Sequence, residues 1–440
     1  MKQPKLIGIS RRSFLGTATA GAATLAMPGI LRAQTELRYL NHETDPRTVA
    51  FLRTLAADYE KEAGVRVRIE TEPDPWVKLT TSIKAGKPYD FMSLPSITDP
   101  VLLAKSDAIV PVTDIVKEQG IEDFGPRSLS QFKDDIWGYP YDYNSVCLYY
   151  RSDWLSEKGL RVPTDWDSFI AVLQTLHDPD NRRYGYTQTL ATGGDSSWAN
   201  TGFLWSNDVR FYDEKWDVIL DTPDIKKRTA EALAFIKKTA DFSPPGLMSA
   251  KLKEVIANFV SGTAAVAPYA GRLMSNIQDN APELADKFVL GPYVRPKGGQ
   301  GVVTGGVDVF AIGKTDKVEE AKKLLRWMIK NDKITDFQLT LPLHYQPVQF
   351  SSYQNKRWSS NPLVEKYKDK LAVMRSFLDE KETKIDGIQY QGPNYSPNQG
   401  RLYNSDLISS MYQNVVAGKM SPEEAVDLGA AKIRELTDKV

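Results

Sequence analysis

Residues 137–154, WGYPYDYNSVCLYYRSDW, constrain the architecture of this chain more than any other stretch. Val146, Leu148, Tyr149 and Tyr150 make a strand-prone run, entered through Gly138, Tyr139, Pro140 and Tyr141. Asp142 and Asn144 stand in its middle. Both are poor strand formers, so a strand wholly inside one sheet would not place them at its centre. A chain passing from one domain to another would, because it is exposed where it crosses. Residues 142–145 are therefore expected to form an exposed interdomain crossing.

The N-terminus reads as a leader. Lys2, Lys5, Arg11 and Arg12 precede an apolar run of small residues from Phe14 to Ile30 that ends near Ala33. Ser10-Arg11-Arg12-Ser13-Phe14-Leu15 has the form of a twin-arginine export sequence. Gly16, Thr17, Thr19, Gly21, Thr24 and Pro28 interrupt the run, which is short for a membrane anchor. Cleavage after Ala33 leaves 407 residues, too many for one ordinary core and natural for two lobes. The leader holds five basic side chains and no acidic one, so 51 basic face 56 acidic side chains in the remainder. A mildly acidic chain without basic tracts is a poor nucleic-acid binder. Cys147 is the single cysteine, which excludes an internal disulfide. On an apolar strand it reads as an inert buried thiol, and it lies too far from the leader to carry a lipid anchor.

Strand and helix signals alternate from residue 36 onward. Residues 36–40 form a strand, Asp45-Pro46 start a helix striped by Leu52, Leu55, Ala56 and Tyr59, and Gly64 stops it. Val65, Val67 and Ile69 alternate with charges in a second strand; a helix over 76–85 and a strand over 89–94 follow. This order predicts a mostly parallel sheet flanked by helices, with ligands beyond the carboxyl ends of its strands. Residues 41–45 and 93–99 sit at two such ends. Thr164 is expected to cap a helix, and 178–181 to turn into a hairpin; as a calcium loop, 178–181 lacks the full ligand series. Residues 307–312 read as a second crossing. Leu428, Ala431 and Leu436 read as the stripe of the last helix.

Motifs for catalysis are absent. Three histidines (42, 177 and 344) lack metal-ligand spacing, no P-loop or nucleophile elbow occurs, and the glycines near 300 lack a dinucleotide-binding context. No cofactor and no metal is expected. Nine Trp and twenty Tyr exceed what two sheet cores require. Sugars offer C–H faces that lie on rings and hydroxyls that need polar partners, so a ring-and-polar cleft suits them. Tyr141, Tyr143, Trp198 and Tyr269, in loops or at the crossing, are candidate rings, Trp198 within the glycine- and hydroxyl-rich passage GGDSSWANTGFLW. Asp142 and Asn144 are placed to bridge ligand and hinge. His42, Ser93, Ser96, Gly271, Arg272, Gly305, Gly306, Asp308 and His344 complete the candidate set, with Asp45 first of all a helix cap.

Four stretches carry a family resemblance: 137–173 (WGYPYDYNSVCLYYRSDWLSEKGLRVPTDWDSFIAVL), 259–272 (FVSGTAAVAPYAGR), 304–328 (TGGVDVFAIGKTDKVEEAKKLLRWM) and 418–428 (GKMSPEEAVDL). In this order the chain resembles bacterial extracellular solute-binding proteins of the sugar-binding type (family 1), broad relatives of maltose-binding protein. The resemblance implies a two-lobed periplasmic binding protein fold, each lobe a mixed, mostly parallel sheet flanked by helices. One lobe would comprise 36–143 and 310–352, the other 147–304 and 357–440, with crossings near 142–146, 304–309 and 353–357. It further implies a monomer that takes a sugar, oligosaccharide or glycoside in the interlobe cleft and delivers it to the permease and ATPase of an ABC importer. Two alternatives stay open: the same fold binding an acidic or sulfonated sugar, a polyol or a peptide, and a secreted glycan-active enzyme.

Overall fold

The computed structural model describes residues 34–125, 127–297, 301–377 and 383–437; the expected leader lies outside them. Among the described residues no helix is long and apolar enough to cross a membrane.

Two 13-residue strands, β7 (Tyr139–Arg151) and β11 (Gly301–Gly313), run antiparallel through the middle of one large mixed sheet. One end of the pair continues into β3 (Phe91–Leu94), β1 (Glu36–Asn41) and β2 (Arg66–Thr71), with β4 (Ile109–Val110) also on β11. The other end continues into β9 (Ala264–Tyr269) and β8 (Tyr184–Tyr186), with β10 (Phe288–Gly291) on β7 and β12 (Thr383–Asp386) on β11. A short hairpin, β5 (Gln131–Phe132) and β6 (Asp135–Ile136), stands apart. The two halves of the sheet are thus joined through β7 and β11, and helices cover both. This is a two-lobed α/β fold.

The crossing differs from its expectation. β7 runs unbroken through Asp142 and Asn144, and all 13 of its residues are buried. Partners on neighbouring segments make this possible. The Asp142 carboxylate accepts the Gln346 backbone N–H at 2.7 Å and Asn144 Nδ2 at 2.6 Å, and Asn144 Nδ2 also lies 3.3 Å from Asp308 on β11. Tertiary hydrogen bonding overrides strand propensity here. The irregularity falls next to the polar pair: Asp308 faces Asp142 and Val309 faces Pro140, so Tyr141 is the extra residue of a bulge on β7.

Alternation along β7 divides the interior. After the bulge, Tyr143, Cys147 and Tyr149 join one hydrophobic cluster, while Val146, Leu148 and Tyr150 join a second on the opposite face; Tyr139 and Tyr141, on the near side of the bulge, also belong to the first cluster. Asp142 and Asn144 share the second face. Burial pushes the Cys147 thiol pKa up, as suits an inert core residue.

Three local readings change. The helix Trp166–Leu176 is capped by Asp165, not Thr164: the Asp165 carboxylate accepts the Ser168 N–H and the Ser168 hydroxyl accepts the Asp165 N–H. The turn at Pro179–Asn181, with Asp178 held by Asn181, closes on an antiparallel bridge between Asp178 and Arg183; the hairpin goes no further, and β8 then pairs in parallel with β9. In the last helix, Pro422–Leu436, the buried face is Ala425, Val426, Gly429, Ala430 and Ile433, whereas Leu428 is 39% exposed. Small residues mark the packed side because neighbours come close: a Cβ at Gly429 would lie 2.6 Å from Met411 Sδ.

Candidate functional site

β1 ends in a loop shaped by its last residue. Asn41 Nδ2 donates to the Glu43 carbonyl at 2.6 Å, and Asn41 Oδ1 accepts the Glu43 N–H and the Ser93 hydroxyl. Ser93 in turn accepts the His42 N–H at 3.3 Å. These bonds hold His42 and Glu43 at the edge of a cavity of about 350 Å³ between the halves of the sheet. Asn144, Gly306 and Asp308 form its floor from the central strands. Tyr269 and Arg272 arrive from the end of β9 and the first turn of helix Arg272–Asn280. Trp198 comes from the short helix Gly194–Ala199. His344 and the rim residue Ser96 complete the candidates that line it.

The other candidates lie elsewhere. Asp45 caps the helix Pro46–Ala63, bonding the Arg47 N–H at 2.9 Å. Ser93 acts from beneath the loop. Tyr143 points to the opposite face of β7, toward Gly305, and Tyr141 is packed in the core, stacked on Phe310 with centroids 4.3 Å apart. Asp142 sits under Asn144 and off the wall. Gly271 permits a close approach, since a Cβ there would collide with the Leu343 carbonyl. Gly305 faces Tyr143 and Ile385.

Sequence reasoning missed Glu43, Asp195, Gln389 and Tyr403, all on the wall. Glu43 organises the charge. Its carboxylate lies 2.9 Å from Arg272 Nη2 and 3.3 Å from His42 Nε2, and His42 Nε2 lies 3.7 Å from Asp308. The Arg272–Glu43 pair ties the β1 loop to the helix after β9, across the cavity. Burial works to neutralise Glu43, but His42 and Arg272 outweigh it and hold the carboxyl well below its usual range. Burial likewise opposes charge on His42, yet Glu43 and Asp308 prevail and push it up to about 10. His344 goes the other way: burial, then Arg272, keep it neutral. Burial raises Asp142, and the facing Asp308 and Glu43 add to it; burial raises Asp308 too, against the pull of His42.

His42, Glu43 and Asp308 offer ligand atoms within 4.8 Å of one another, a geometry that could hold a metal ion. Their occupancy favours another reading. A protonated His42 and a guanidinium on Glu43 already neutralise the carboxylates, and a divalent ion would have to displace both.

Three buried polar atoms of lining residues, His42 Nδ1, Asn144 Oδ1 and His344 Nδ1, make no hydrogen bond within the protein. An unmet buried donor or acceptor costs about 1–3 kcal/mol, so such a wall suits a ligand rich in hydroxyls. The rings of Trp198, Tyr269 and Tyr403 add apolar faces, Trp198 meeting Tyr269 edge-on at 6.3 Å.

Known proteins share this architecture. Over 415 residues, 92% of this chain and 94% of the relative, the sequence is 23% identical to a putative ABC transporter periplasmic-binding protein of Escherichia coli. The fold matches that of an ABC transporter solute-binding protein from Agrobacterium radiobacter in complex with ribitol, at TM-score 0.74 and 21% identity, covering 92% of this chain and 99% of that one. It also matches a sugar transporter from Arthrobacter chlorophenolicus with bound laminaribiose, at TM-score 0.76 and 13% identity, covering 92% and 100%. The family model for bacterial extracellular solute-binding proteins matches residues 45–333, well over half of the sequence, and the chain belongs to that family.

Proposed function

We propose that this chain captures a sugar, oligosaccharide or glycoside in the cavity between its lobes and hands it to the permease and ATPase of an ABC importer. The observation that carries the reading is the wall itself: three rings beside three buried polar atoms that lack partners in the protein. Sugar hydroxyls satisfy such atoms while C–H faces lie on the rings. Ribitol and laminaribiose, the ligands in two structural relatives, have the same mixture of groups.

In this reading the chain works in the periplasm as a monomer, is exported through a twin-arginine leader over residues 1–33, and returns its ligand unchanged. One lobe comprises 36–143 and 310–352, the other 147–304 and 357–440. They hinge near 142–146, 304–309 and 353–357. Closure is driven by contacts made only in the closed form, so residues on both lobes are needed. Glu43 and Arg272, on opposite sides of the cavity, already meet across it.

A thermal-shift screen against neutral sugars, glycosides and polyols, followed by calorimetry and chromatography of the recovered ligand, tests the proposal. Saturable stabilisation by a carbohydrate recovered intact supports it. No stabilisation by any member, or conversion of the bound sugar, overturns it.

A further inference from the structure

A second and larger cavity, of about 1000 Å³, lies behind the two long strands. Neighbouring glycines on β11 mark the two sides. A Cβ at Gly306 would point to Trp198 in the first cavity, while one at Gly305 would lie 3.2 Å from the ring of Tyr390 on the wall of the second. Gln389 lines both and donates to the Gly305 carbonyl between them.

The walls of this rear cavity come from residues 121–125 and 127–133 on one side, and from Arg210 and 384–399 on the other. Tyr395 Oη and the Arg127 guanidinium bridge the gap, bonding the Arg127 and Ile385 carbonyls. Among the described residues four cations line it, Arg127, Lys133, Arg210 and Lys384, against one carboxylate, Asp386. Asp386 is buried and already engaged, 2.8 Å from Arg210 and 3.4 Å from Lys384. Lys384 also reaches Asp208 at 4.0 Å, whereas Lys133 has no carboxylate partner among the described residues. Four rings stand among the cations: Phe124, Phe132, Tyr390 and Tyr395. Arg127 lies over the Tyr390 ring at 5.3 Å, and Lys133 over Phe132 at 5.5 Å.

We propose that the rear cavity is a second binding site, for a ring-bearing anion: a carboxylated or sulfonated aromatic or sugar. The described lining is net cationic, which disfavours a cation and attracts an anion. The rings supply flat faces for a planar or pyranose body, and Lys133, over the Phe132 ring, is held ready for an oxyanion. The front cavity has a different character: its cations His42 and Arg272 are matched by Glu43 and Asp308, and Asp195 adds further acid. The two sites therefore select different chemistry, and the rear one stands independently of the solute captured in front.

Anilinonaphthalene sulfonate, a fluorescent ring-bearing anion, is the probe, and neutral N-phenylnaphthylamine is its control. The sulfonate binds saturably at one site per chain, the neutral dye binds at least roughly tenfold more weakly, and the affinity falls as salt screens the cations. Lys133→Glu weakens the sulfonate by roughly tenfold, Lys133→Gln by less, and Trp198→Ala leaves it unchanged. Lys133 is exposed, so its variants fold, as circular dichroism checks. Absence of saturable binding, equal affinity for the neutral dye, or loss of binding in Trp198→Ala in place of Lys133→Glu overturns the proposal.

Discussion

Glu43→Gln isolates the charge at the centre of the candidate site. Glu43 is 3% exposed and receives Arg272 at 2.9 Å and His42 at 3.3 Å. Glutamine keeps the shape and removes the charge, so two cations face each other across a neutral amide. Removing one partner of a buried pair costs about 3–5 kcal/mol. The Arg272 side chain is 26% exposed and recovers some hydration, and His42 can shed its proton, so the lower end, about 3 kcal/mol, is expected at pH 6. The pH dependence carries the sharper test. His42 has a folded pKa of about 10, above its ordinary 6.5, so its ion pairing stabilises fully below pH 6.5 and is lost as pH rises through about 10. The gap between the native chain and Glu43→Gln should therefore narrow from pH 6 to pH 10 in urea unfolding, and NMR should show His42 titrating far lower in the variant. A double change with Arg272→Met should recover much of the loss. A gap under about 1 kcal/mol, or a His42 that already titrates near its ordinary value in the native chain, refutes the ion-pair network.

Four further outcomes are expected. Trp198→Ala should weaken sugar binding by roughly tenfold with little change in melting temperature, whereas Tyr141→Ala should cost about 3–5 kcal/mol of stability, since its ring is packed on Phe310 and Phe337; calorimetry and melting curves on both variants check this. Gly305→Ala should cost about 1–3 kcal/mol by overpacking, because its Cβ would sit 2.7 Å from Ile385 and 2.8 Å from Tyr143, while Gly306→Ala meets nothing nearer than 3.6 Å and should melt almost normally. X-ray scattering should show a smaller radius of gyration on saturation with the right sugar, without change in circular dichroism; an unchanged radius argues against hinge closure. Replacing Arg11 and Arg12 by Lys should leave precursor in the cytoplasm, as cell fractionation would read.

Much of the fold could be read from the sequence because its signals are local. The cap at Asp45-Pro46, the stop at Gly64 and the alternation of Val67 with arginines each act within a few residues. The site is different. Glu43 lay in a loop that drew attention for His42, but its partner Arg272 is 229 residues away, and no spacing rule joins them. Asp195 sat inside the passage singled out for Trp198, where the ring drew the reading away from the acid. Tyr403 and Gln389 reach the wall only because the C-terminal segments fold back on the sheet. Tyr141 and Tyr143 illustrate the opposite error. Nearness to the crossing suggested ligand contact, yet a period of two from Asn144 already placed Tyr143 on the other face, and Tyr141, the extra residue of the bulge, packs on Phe310 and Phe337.

The two poor strand formers at the middle of β7 show why this site stands where it does. A polar pair in a buried strand is unfavourable unless it is satisfied; here Gln346 and Asp308 bind Asp142 and Asn144 Nδ2, and Asn144 Oδ1 is left for a ligand. The same face turns apolar at Val146 and stays so through Tyr150, where it builds a core. A strand needs only one such change of character to serve both lobes: apolar where it is packed, polar where the sheet opens. Facing it, β11 provides Gly306, without a side chain, and Asp308, whose charge is held by His42 from the first lobe's loop. The local rule is therefore broken at the one place where the chain must leave a core and line a cavity, and the break itself points to the site.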